Sequence, residues 1–93
     1  MPVRAKQIRV HGRVQGVGFR YFVQRAGNRL GLTGNVRNRP DDTVEIVVAG
    51  DPELIEEFLK EVTKGPPLSR VERLEINDVA PVEKFRSFQI EGW

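Results

Sequence analysis

The hydrophobic period of this chain changes abruptly near its N-terminus, and that change constrains what the rest can fold into. In KQIRVHGRV, residues 6–14, the residues Ile8, Val10 and Val14 share one side, the period-two pattern of a strand with one buried face. From Phe19 the apolar positions become Phe19, Phe22, Val23, Ala26 and Leu30, the stripe of an amphipathic helix. Gly16 and Gly18 are the hinge between them. A strand passing directly into such a helix must lay the helix back on its own sheet to cover both apolar faces.

The remaining pattern fits that plan. Gly31 is placed to stop the helix. LTGNVRNR (32–39) reads as a second strand, PDD (40–42) as a turn, and TVEIVVAG (43–50) as a third strand with Val44, Ile46 and Val48 inward. Asp51 is a helix cap with Pro52 at the first helical position. Leu54, Ile55, Phe58, Leu59 and Val62 form that helix's apolar stripe, and KGPP ends it. RVERLEINDVA (70–80) is a fourth strand and FRSFQIEG (85–92) a short fifth, with Phe88 and Ile90 alternating.

The order βαββαβ plus a short C-terminal strand predicts an α+β fold. It is a ferredoxin-like α/β sandwich, an antiparallel sheet with two helices on one face. Residues 1–93 are expected to be a single domain. At this length a chain buries roughly 60–65% of its unfolded surface without staples. Because a helix returns the chain between them, strands one and two point the same way. The segment QGVGFR (15–20) and the turn RNRPDD (37–42) therefore fall at one sheet edge.

Charge is distributed unevenly. Residues 1–40 hold nine Lys/Arg and no acid, whereas residues 41–93 hold six basic and thirteen acidic side chains. A basic half points to an anionic partner, a phosphorylated small molecule or nucleic acid, although arginines spread over separate faces are also ordinary solvated surface. The absence of cysteine excludes disulfides, thiolate nucleophiles and zinc–thiolate sites. His11 is the only histidine and lies within a strand, where it reads as a surface or edge residue rather than a base. Asp41 and Asp42 read as a turn rather than as cation ligands. The N-terminus lacks an apolar run of signal-peptide length, and IVVA (46–49) is far too short to span a membrane. A cytoplasmic protein with no membrane partner, no metal and no cofactor is expected.

Established phosphate motifs fail here. Tyr21 stands where a dinucleotide fingerprint needs its third glycine, and no Walker-type segment exists. The underlying physics survives. Glycines such as Gly16 and Gly18 let a loop turn its N–H groups inward, forming a nest with the positive helix end behind it. Arg20 in the first helical turn is unfavourable against the helix dipole unless an anion sits between, and it could clamp a phosphate bidentately. A plain strand-to-helix turn followed by a surface arginine is the competing reading.

With so little covalent or metal equipment, the substrate needs a good leaving group. An acyl phosphate qualifies, because a carboxylate of pKa roughly 4–5 leaves with little help from an acid. What remains is to neutralise phosphoryl oxygens and to place a water in line. Asn38, at the end of strand two, could accept from that water; otherwise it is an ordinary turn residue.

VHGRVQGVGFR (10–20) together with GNVRN (34–38) strongly resembles the acylphosphatase family. The signature G-x-V-Q-G-V-x-F-R is matched at Gly12, Val14, Gln15, Gly16, Val17, Phe19 and Arg20, and the likeness covers nearly the whole chain. It implies an α/β sandwich with a five-stranded antiparallel sheet and metal-independent hydrolysis of carboxyl–phosphate bonds, releasing inorganic phosphate. It also implies roles: Arg20 binds phosphate, the amides from Gln15 to Arg20 form the cradle, and Asn38 orients the water, whose proton goes to the substrate's own phosphate. Two positions depart from the family pattern. Asn35 replaces an aromatic and Asp42 replaces a turn glycine.

Two other readings compete. Strands one and three lack the aromatics of an RNA-binding sheet, which argues against nucleic acid. A non-catalytic module binding acyl or carbamoyl phosphate within a longer enzyme would share the first motif. A 93-residue chain favours a free-standing enzyme, expected to be a monomer.

Overall fold

The computed structural model describes residues 3–81 and 85–92. Its elements follow the expected order: β1 (Arg4–Arg13), α1 (Phe19–Arg29), β2 (Thr33–Asn38), β3 (Val44–Gly50), α2 (Pro52–Lys64), β4 (Arg70–Val79) and β5 (Phe88–Ile90). They build one five-stranded sheet in the order β4-β1-β3-β2-β5. β3 sits between β1 and β2 and is antiparallel to both, so β1 and β2 run the same way.

The expected antiparallel sheet holds for four strands, and the fifth adds a parallel ladder at the edge. β4 opposes β1, and therefore also β2; the chain reverses once more before β5, which must then run with β2. Only the pairs Gly34 with Phe88, Asn35 with Gln89 and Val36 with Ile90 form. This is why β5 is much shorter than the 85–92 segment suggested.

Alternation decides which face each side chain takes. Ile8, Val10, Val36, Val44, Ile46 and Val48 point to the helix-covered face and are fully buried. Phe19, Val23 and Ala26 of α1, with Ile55, Phe58 and Val62 of α2, meet them there. Phe88 joins this core and packs its ring 5.4 Å from that of Phe58. Leu54 lies off the buried stripe of α2 and is exposed, while Phe22 of the α1 stripe is half-buried. At 11 and 13 residues the helices are too short to persist alone in water. Burying side chains of this size, at about 1.5–3 kcal/mol each, holds them in place.

Candidate anion site at the sheet edge

The two helix N-termini are built differently. In α2 the Asp51 carboxylate accepts from Glu53 N at 2.8 Å, Pro52 occupies the first position, and Glu53 adds a negative charge. In α1 the cap residue is Gly18, with no side-chain cap and no acid in the first turn. The first amide hydrogens of a helix have no acceptor within it. At α1 no side-chain cap and no acid of the helix's own first turn compensates them.

The loop before α1 is shaped by torsion rather than by crowding. Gly16 and Gly18 take φ of 73° and 77°, on either side of Val17. A Cβ at either glycine would meet nothing within 4 Å, so the left-handed backbone itself is what demands glycine there. Gly16 and Gly18 are exposed, Gln15, Val17 and Arg20 half-buried, and Phe19 is anchored in the core at 2% exposure. The buried Phe19 thereby fixes where Arg20 leaves the helix. Val17 and Gly18 also border a groove of about 590 Å³ that runs along α1 past Tyr21, Phe22 and Arg25.

The expected convergence of loop and turn is present, and a side chain makes it. Gln15 Nε2 donates to Arg39 O at 2.8 Å and to Thr43 O at 2.9 Å. Arg39 N donates to Thr43 O at 2.8 Å, and Asp42 N to Arg39 O at 3.2 Å, closing the turn. Asp41 Oδ1 accepts from Thr43 N at 3.1 Å and from the Thr43 hydroxyl. Those two bonds, and then the Arg9 guanidinium, hold the Asp41 carboxyl below its ordinary value of 3.8.

Asn38 ends β2 opposite Val44, hence on the helix-covered face. Its Oδ1 is buried and accepts no hydrogen bond among the described residues. A buried acceptor left open in this way costs about 1–3 kcal/mol unless something outside the chain satisfies it. His11 lies on the other face, with Nε2 at 3.3 Å from Glu75 Oε1. That placement leaves it away from the loop, as its strand position suggested.

Both departures from the family pattern have structural consequences. Asp42 has φ of 72° and is the one non-glycine residue with positive φ among those described. Asn35 is nearly buried on the helix-free face.

The uncovered sheet face carries what the sequence reading missed. Glu45 is buried to 7% exposure although no helix covers it. Arg37 Nε and Nη2 both bond Glu45 Oε2, at 3.0 and 2.8 Å. Arg9 and Arg39 approach Oε1 at 3.7 and 4.0 Å. Lys6 pairs with Asp78 and Arg29 with Glu61. Part of the basic half is therefore neutralised by the acidic half of the same chain. The signal was available: β2 and β3 form a hairpin, and its register sets Arg37 against Glu45.

The fold and this edge define a small α/β sandwich in which a glycine-containing loop opens α1 beside the end of β2. The sequence profile described as acylphosphatase matches residues 6–90. An acylphosphatase of Thermococcus kodakarensis is 48% identical over 90 residues, covering 97% of each chain. The crystal structure of acylphosphatase from Bacillus subtilis superimposes with a TM-score of 0.91 at 38% identity, covering 96% of this chain and 99% of that one. HypF of T. kodakarensis matches with a TM-score of 0.84 at 41% identity, over 96% of this chain but 12% of its own. The chain belongs to the acylphosphatase family, whose members are enzymes of the acid-anhydride hydrolase class.

Proposed function

We propose that residues 1–93 act as one acylphosphatase-like domain that hydrolyses the carboxyl–phosphate bond of acyl phosphates without a metal or cofactor, releasing a carboxylate and inorganic phosphate. The observation that carries this reading is the buried Oδ1 of Asn38, without a hydrogen-bond partner among the described residues, at the strand end that Gln15 ties to the glycine loop.

In the mechanism, the amides from Gln15 to Phe19 and the α1 N-terminus receive the phosphoryl oxygens. Arg20 adds a bidentate, charge-assisted clamp that strengthens as charge builds on those oxygens. Asn38 Oδ1 accepts a hydrogen bond from the attacking water and fixes it in line with the leaving carboxylate. The phosphate takes the water's proton, because a carboxylate leaving group needs none. The groove past Tyr21 and Phe22 gives the acyl group apolar surface next to the loop. The protein works in the cytoplasm as a monomer on a small molecule, not on nucleic acid. No helix among the described residues is long and apolar enough to cross a membrane.

The test is hydrolysis of benzoyl phosphate by purified protein with a chelator present throughout. Rapid turnover that Asn38→Ala reduces, with inorganic phosphate still inhibiting, is the expected result. Turnover lost to the chelator would overturn the metal-free reading. A phosphate-recognising module of a longer enzyme is the second reading, favoured by the match to a small part of HypF. Phosphate binding without any turnover would favour it.

A further inference from the structure

We propose that Glu45 is a positioning residue for Asn38, acting from the opposite face of the sheet. The inference rests on the water-orienting role given to Asn38 above.

Strand alternation separates the two residues. Asn38 lies on the helix-covered face, and Glu45, between the fully buried Val44 and Ile46, lies on the other. They do not touch. What joins them is that Glu45 hydrogen-bonds one of Asn38's chain neighbours, Arg37, and faces the charge of the other, Arg39. Arg37 places two N–H groups on Oε2 at 3.0 and 2.8 Å, and Arg39 reaches Oε1 at 4.0 Å, with Arg9 beside it at 3.7 Å.

A carboxylate this buried on a face without a helix is stabilised by the guanidinium groups that cover it. Their backbones are thereby drawn to one point on β3. Arg39 is held a second time through its carbonyl, by Gln15. The last peptide units of β2 are thus fixed from the uncovered face and from the phosphate loop, while Asn38 Oδ1 itself has no hydrogen-bond partner among the described residues. An acceptor that must keep a water in line needs support to within roughly 0.5 Å and 10–20°, and here that support comes from its neighbours.

Removing the charge should leave a folded chain. Arg9, Arg37 and Arg39 keep about a third to two-fifths of their side-chain surface in solvent, so water can replace the carboxylate. The experiment measures benzoyl phosphate kinetics and inhibition by inorganic phosphate for four forms of the full chain: wild type, Glu45→Gln, Asn38→Ala and the double variant. Arg37→Gln is run beside Glu45→Gln as an independent way to release the same end of β2, and is expected to show the same pattern.

Glu45→Gln is expected to lower kcat by ~3–10-fold, with KM and the phosphate inhibition constant changed by less than about twofold. In the Asn38→Ala background the same substitution should change kcat by less than about 1.5-fold, because the two act as a unit. An equal loss in both backgrounds, or phosphate affinity falling in step with kcat, would overturn the proposal and make Glu45 a general support of the fold. Normal kcat in Asn38→Ala would instead remove the role given to Asn38, and the positioning role with it.

Discussion

The side-chain amide of Gln15, in the loop after β1, donates to the main-chain carbonyl of Arg39 at 2.8 Å, twenty-four residues further along the chain. A second bond from the same nitrogen reaches Thr43 O at 2.9 Å. One side chain thus spans the sheet edge and ties the segment that opens α1 to the turn that follows Asn38. Gln15→Leu keeps the bulk and removes both donors. Each carbonyl retains another partner in the turn, so the stability loss should be modest, about 1–2 kcal/mol by urea denaturation. A kcat loss larger than the accompanying rise in KM is expected, since the strand end moves more than the cradle. Unchanged kcat would mean that the bond serves stability alone.

Arg20→Ala should lower kcat/KM by ~10²–10³ or more in a chain that still folds, because preorganised donors to a transition-state oxyanion contribute on that scale. Arg20→Lys should recover only part of the loss, since an ammonium cannot reproduce the planar two-point contact. Full recovery by lysine would show that charge alone is required.

Asp42→Gly relieves the left-handed backbone that Asp42 adopts at φ 72°. A non-glycine residue in that conformation costs about 1 kcal/mol, partly offset by the extra freedom glycine has when unfolded. The net should be a gain of several tenths of a kcal/mol, visible as a melting temperature higher by roughly 2–5 °C for a chain of this size. A lower melting temperature would show that the Asp42 side chain stabilises the turn.

Gly27→Ala tests packing against propensity. Within a helix, alanine is favoured over glycine by about 1 kcal/mol. Here a Cβ would stand 2.3 Å from Cδ2 of Phe88, whose ring is 1% exposed and packed on Phe58. Overpacking of that kind costs about 1–3 kcal/mol, so the substitution should destabilise despite the propensity gain. Denaturant midpoints of the two proteins decide the sign.

Acid should weaken the fold partly through Asp41 and Asp78. Hydrogen bonds from Thr43 depress the first carboxyl, and Lys6 depresses the second, both from an ordinary 3.8. A lowered folded-state value means that the unfolded chain binds more protons near that pH. The contribution is therefore complete well above 3.8 and is lost as pH falls through the lower folded-state values. Asp41→Asn should flatten the stability profile in that acid range and leave its slope near neutral pH unchanged. Urea midpoints measured across the acid range for both proteins test this.

Local chemistry made the elements legible in the sequence. Period-two alternation marked β1 and β3, the i, i+3, i+4 spacing marked α1, and Asp51–Pro52 marked the start of α2, because each depends on neighbours within a few residues. The glycine loop before α1 was equally visible, since left-handed backbone at two closely spaced positions selects glycine whatever packs around it. Placing Arg20 and Asn38 at one edge needed only the rule that a helix between two strands returns the chain, making them parallel.

Tertiary structure alone decided how that edge is held. Whether Gln15 meets carbonyls or water, whether Glu45 is a solvated acid or the buried partner of three arginines, and which way the short β5 runs all depend on register and on which edge remains open. These are contacts between residues far apart in sequence or across a ladder. Their energies become favourable only once the sheet has been assembled, and of them only the Arg37–Glu45 pair was open to reading beforehand, through the register of the β2–β3 hairpin.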